Sequence, residues 1–215
     1  GLIDVVKNSQ MWINCVIGCL LFVPLSGFAE TWGISYLMQV VHMTKSHAAF
    51  AVAMIFFGWL LGAPIIGWIS NAIKQRRLPL TLGSTLAAIL ISIVLYVPNL
   101  GYQTVCYILF ACCFFSRSSI IVFVISIDII SSILTDAAVS FTKMMVMLSG
   151  AVIPLIGLIV SLTWRNSTLG QIPNDAWSYQ VALSVLPCSL LVAIFLTFYL
   201  QDTYCKLELP QAEEV

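Results

Sequence analysis

Apolar residues dominate this chain in six long stretches, at about 10–40, 48–70, 78–97, 103–130, 137–163 and 178–201, separated by short polar connections. A hydrocarbon layer about 30 Å thick is crossed by roughly 20 apolar residues in a helix, and every stretch reaches that length. Inside lipid a helix satisfies its own backbone, whereas barrel strands would alternate with a period of two, and no such alternation is present. The pattern predicts an all-α membrane protein with six transmembrane helices and a tail at 202–215. The helices fall into two triplets. The third and sixth stretches hold no Asp, Glu, Lys or Arg and read as lipid-facing. The second and fifth are rich in small or helix-distorting residues: Gly58, Gly62, Pro64 and Gly67 in one, Gly150, Pro154 and Gly157 in the other. That recurrence predicts two inverted three-helix repeats.

Composition narrows the class. With 60% hydrophobic and 8% charged residues and a mean hydropathy of +1.03, the chain lies outside the range of soluble domains. A formal net charge of zero gives a nucleic acid nothing to bind. An even number of crossings puts both termini on one side. That side collects Lys7, Lys74, Arg76, Arg77 and Lys206, against Lys45 and Arg165 on the other. The bias predicts cytoplasmic termini, with the loops at 42–47, 98–102 and 165–177 facing outward and Trp164, Trp177 and Tyr179 as interfacial aromatics. The first stretch is too long, and lacks the small-residue cleavage pattern, to be a signal peptide. The start at Gly1 rather than Met is expected of a fragment or a processed product.

The connection between the second and third stretches reads Gly67-Trp68-Ile69-Ser70-Asn71-Ala72-Ile73-Lys74-Gln75-Arg76-Arg77 and is the densest positive charge in the chain. It resembles the signature loop of the major facilitator superfamily, where a glycine, a short polar stretch and a basic cluster join the second and third helices of a six-helix half. Asn71 stands where the family usually has aspartate, and Lys74-Gln75-Arg76-Arg77 is a variant of its basic end. Residues 24–33 and 48–59 look like the start of the C-terminal half of bacterial members. Residues 141–150 resemble its fifth helix, with Lys143 where a neutral polar residue is expected. The resemblance implies half of a major-facilitator fold, whose N-terminal six-helix half comes from the same or a separate chain. It also implies that Gly67, Asn71, Lys74, Arg76 and Arg77 form a conformational latch, weakened by Asn71.

Charges inside the stretches are the candidate chemistry, because each costs roughly 2.5–3.5 kcal/mol to insert. Arg117, deep in the fourth stretch, reads either as a cavity cation for an anionic solute or as a structural arginine among Ser116, Ser118, Ser119 and Ser126. Lys143 and Asp128 are separated by a tight turn and within reach of each other, and read as substrate or coupling residues, as a structural ion pair at the gate, or as a lysine whose stem snorkels to the interface. Glu30, with Trp32, falls in a first helix that Pro24 can kink and that Gly27 and Gly33 can loosen; it reads as a proton carrier or substrate contact, or as an interfacial carboxylate. Gly58 and Gly62 form a close-approach step, either between two halves or within one. Cys15, Cys19, Cys106, Cys112, Cys113, Cys188 and Cys205 show neither zinc spacing nor a disulfide framework, and His42 and His47 do not share a helical face. No cofactor, metal or enzymatic activity is therefore expected.

These features predict secondary active transport of a small solute by alternating access, with membrane lipid and possible proton coupling. If Asp128 neutralises Lys143, Arg117 remains the deep free cation, and the substrate is expected to be an organic anion or zwitterion. The competing readings are a non-transporting scaffold or accessory subunit and, more weakly, a channel of several copies. The fold does not select the solute.

Overall fold

A computed structural model describes residues 7–130, 134–165 and 176–201, and the expected tail at 202–215 and the loop at 166–175 lie outside them. The described residues form six helices long and apolar enough to cross a membrane. They are α1 (Ser9–Gln39), α2 (Lys45–Ile73), α3 (Arg77–Tyr96), α4 (Tyr102–Ile129), α5 (Thr135–Ile159) and α6 (Tyr179–Thr197).

Local chemistry sets where the helices start, stop and deform. The Asn8 side chain caps α1 by accepting from the Gln10 amide, and Thr44 caps α2 by accepting from His47. Lys74, with φ 56°, takes the left-handed conformation that closes α2 and turns the chain into α3. Pro24 lies within α1 and has no N–H to donate. Directly after it, residues Leu25–Trp32 widen into a π-helix. Arg117–Ser119 tighten into a 3-10 turn in α4, as do Leu148–Ala151 in α5. The α5 turn has a visible cause, since Pro154 cannot donate to the carbonyl of Gly150.

Packing follows the triplets. α2 lies along α4 and α5 along α1, α3 packs on α4 and α6 on α1, and α3 meets α6. Exchanging the first triplet for the second maps this set of contacts onto itself. Because a triplet makes three crossings, the second enters from the opposite face, and the repeats are inverted. The fold class expected from the pattern of apolar stretches is the one observed.

The core is mainly aliphatic, centred on residues such as Leu21, Phe28, Ile55, Leu95, Leu109 and Ile121. Polar ties cross it where helices need fixed register. The Tyr36 hydroxyl reaches the carbonyls of Val94 (3.2 Å) and Leu95 (3.1 Å), joining α1 to the end of α3. Gln180 Nε2 donates to the same Leu95 carbonyl at 3.0 Å from α6. Asn14 Nδ2 donates to the Val122 carbonyl and to Ser126 Oγ, both at 2.8 Å, and Ser126 meets Thr142 at 2.7 Å, linking α1, α4 and α5. In lipid each such bond contributes about 0.6 kcal/mol, so they fix alignment more than they hold the bundle together. The middle helices are the least covered. Only 33% of the most apolar window of α2 and 22% of that of α5 is buried, against 67% for α1, so the open faces belong to α2 and α5.

Candidate functional site

Most of the buried polar atoms without partners lie at the helix deformations, the exceptions among the described residues being Asn14 Oδ1 and Gln39 Oε1. Among the described residues such atoms include Trp32 Nε1 in the π-helical segment, Ser116 Oγ, Arg117 Nε and Ser118 Oγ at the α4 break, and Ser149 Oγ at the α5 break. A buried polar group left unbonded costs about 1–3 kcal/mol, so this distribution marks places where the fold holds polar chemistry in reserve. Ser26 Oγ donates to the Ser149 carbonyl at 3.4 Å, tying the α1 deformation to that of α5.

Arg117 is the central feature. It lies about 15 residues after Tyr102, roughly 22 Å along α4 at 1.5 Å per residue. Its guanidinium stacks on Trp59 of α2, 4.1 Å from the ring centroid. Among the described residues it makes no hydrogen bond or ion pair, and its Nε is buried. The close approach of α2 to α4 is what places it there. A Cβ on Gly62 would stand 2.6 Å from the Phe114 carbonyl oxygen and 2.9 Å from Arg117 Cβ, and one on Gly58 would collide with the Phe110 carbonyl. The glycine step therefore packs inside this half, which decides between the two readings open at the sequence level.

Glu30 is exposed on the π-helical segment. Trp32 is half-buried, edge-on to Tyr179 at 6.5 Å, and 3.5 Å from the site where Gly157 would carry a Cβ. Lys143 is exposed on the open side of α5, beside Met144 and Met147.

The expected Asp128–Lys143 pair is replaced by another. Asp128 Oδ2 accepts from Arg76 Nε at 3.2 Å, with both side chains more than nine-tenths buried. The same guanidinium gives Nη1 to Asn71 Oδ1 (2.7 Å) and Ser70 Oγ (3.3 Å). Arg76 thus clamps the end of α4 to the end of α2, and Asn71 takes part through its amide oxygen. The physical reason is reach: the turn after α2 brings Arg76 inward beneath the end of α4, whereas Lys143 sits about 12 Å along α5 on its outer face. Neutralisation of Lys143 by Asp128 therefore falls away as a premise. Arg77 Nη2 donates to the Phe198 carbonyl at 3.1 Å and its guanidinium covers the Phe198 ring, anchoring the end of α6. Lys74 is exposed, and among the described residues nothing lies within 4 Å of a Cβ placed on Gly67.

Sequence reasoning missed Trp59, Ser70 and Phe198. Trp59 had a weak signal in its place three residues before Gly62, on the same helical face. Phe198 had none, since both its carbonyl and its ring meet Arg77 only through the packing of α6 against the turn at 74–77.

Two apolar grooves lie apart from these charges. One, of about 450 Å³, is lined by Phe50, Met54, Gln103, Cys106, Tyr107 and neighbours between α2 and α4; the other, of about 410 Å³, lies between α3 and α6.

No family model matches the sequence and no curated protein matches it. Among solved structures the chain resembles a bacterial homologue of the human lysosomal transporter Spinster, in an inward-facing and occupied conformation. The identity is 15% and the TM-score 0.64, with 92% of this chain and 50% of the other covered. The chain thus spans about half the length of that transporter, and its fold is half of a major-facilitator fold.

Proposed function

We propose that this chain is the C-terminal six-helix half of a bacterial secondary transporter that moves a small organic anion or zwitterion by alternating access. The observation that carries the reading is Arg117, a guanidinium deep in the spans, placed at a helix break and holding a buried N–H without a partner. An arginine keeps its charge in such a site and grips a carboxylate or phosphate in bidentate fashion. Broken helices near mid-membrane are where transporters of this architecture place their substrates. The likeness to a transporter of twice the length supports a second half. The open faces of α2 and α5, with Phe56, Phe57, Leu60, Met144, Met147 and Leu155 exposed, are of the kind that such a half would cover. In this reading the Arg76 end is cytoplasmic, by its excess of basic residues, and the inner membrane is the location.

Arg76, Asp128, Asn71 and Ser70 form the latch of one access state, with Gly67, Lys74 and Arg77 in the same loop. Glu30, on the deformed part of α1, carries the coupling proton, and Trp32 orients that segment. Lys143 contributes a second cation on the open face. Uptake of a panel of labelled solutes by the complete protein tests the reading, with Arg117→Gln as the decisive variant. Loss of uptake of an anionic solute at normal expression is expected. Undiminished uptake of every transported solute overturns the assignment.

A further inference from the structure

Arginine on a membrane helix normally extends toward the nearer interface, where its charge finds water. Arg117 is about 12 residues from the end of α4 at Ile129 and about 15 from its start at Tyr102, so the nearer exit is the Arg76 end. Its side chain instead follows the lean of helical side chains toward the start of α4. The stem crosses α2 at Gly62, and the guanidinium lies over Trp59, one turn back toward the Lys45 end. Trp59 is half-buried and packs against the main apolar cluster, so its ring plane is set from the protein side. The residues that make this possible are a glycine and a tryptophan three apart on one helical face: the glycine admits the stem, and the indole receives the head.

We propose that Trp59 is the positioning residue of an oxyanion site at Arg117. The indole covers one face of the guanidinium and holds it at depth. The Nε N–H is buried and left without a protein partner, and a guanidinium held in this way can donate two in-plane N–H groups to one carboxylate-class anion. Without the ring, the cation–π contact that holds the head is lost. This inference rests on the anion reading of Arg117 given above, and it names the residue that determines whether that site forms.

The test uses the full-length transporter in lipid vesicles, with malonate as the probe anion and phenylglyoxal as an arginine reagent, modification at Arg117 being read by peptide mass spectrometry. In the wild type, malonate protects Arg117. In Trp59→Phe, which keeps an aromatic face, the half-protecting concentration stays within about twofold, and in Trp59→Leu it rises about tenfold, the range a partly desolvated cation–π contact commands. Iodide quenching of tryptophan emission supplies a reading that needs no Trp59→Leu protein: a saturable component is expected in the wild type and lost in Trp59→Phe and in Arg117→Gln. Equal protection in wild type and Trp59→Leu, or saturable quenching that survives Arg117→Gln, overturns the role of Trp59. Absence of any malonate protection in the wild type overturns the anion reading beneath it as well.

Discussion

Replacing Gly62 by alanine tests the placement of Arg117 through backbone geometry alone. The added Cβ would sit 2.6 Å from the Phe114 carbonyl oxygen, where ordinary contact begins near 3.4 Å, so α2 and α4 must separate by about 0.8 Å. The obstacle is the backbone of a packed helix and has no rotamer to escape into. Overpacking of this kind costs about 1–3 kcal/mol. Against it stands the better helix propensity of alanine, at most about 1 kcal/mol. The clash wins, and a net loss of roughly 1–2 kcal/mol is expected, or about 2–8 °C in the thermal midpoint of a chain this size. The same separation lifts the Arg117 stem off α2, so the iodide-sensitive component of Trp59 emission should fall as well. The assay is thermal unfolding of the purified full-length protein, followed by cysteine exposure and in parallel by tryptophan emission. A Gly62→Ala protein with wild-type stability and undiminished iodide quenching would refute the close α2–α4 contact and the account of Arg117 built on it.

Gly67→Ala meets nothing within 4 Å among the described residues, so the thermal midpoint should hold or rise by the equivalent of at most about 1 kcal/mol from helix propensity, and a drop would refute the open space there. Arg76→Gln and Asp128→Asn each break a buried pair, at about 3–5 kcal/mol. Arg76→Gln should cost more, because Ser70 and Asn71 lose their donor too, and thermal midpoints of the two single variants and the double should show a double cost below the sum. Thr142→Val removes the hydroxyl that Ser126 and Cys15 share, and a loss of about 0.5–2 kcal/mol is expected in the same measurement. Tyr36→Phe should lose about 0.5–1.5 kcal/mol in the thermal midpoint and no more, since Leu95 keeps its bond from Gln180.

Apolar length, turn chemistry and the repeated placement of glycine and proline are local properties, and they determined what is local in this protein. Six helices, their grouping into triplets, the break after Pro24 and the basic turn at 67–77 were legible because lipid forces each crossing to satisfy its own backbone. The family resemblance of that turn pointed to half of a major-facilitator fold, and the fold agrees. Partners were not legible, because pairing depends on which face of each helix turns inward and at what height. Asp128 took Arg76 rather than the nearer-looking Lys143, since the turn at Lys74 carries Arg76 beneath α4 while Lys143 lies on the outer face of α5. Gly58 and Gly62 were readable as a close-approach step but not as a contact with α4. Trp59 became part of the candidate site only once two parallel helices touched at those glycines and laid the guanidinium of Arg117 over its indole. Sequence spacing fixes neighbours along one helix; neighbours on two helices are set by their separation and rotation, and those exist only in the packed bundle.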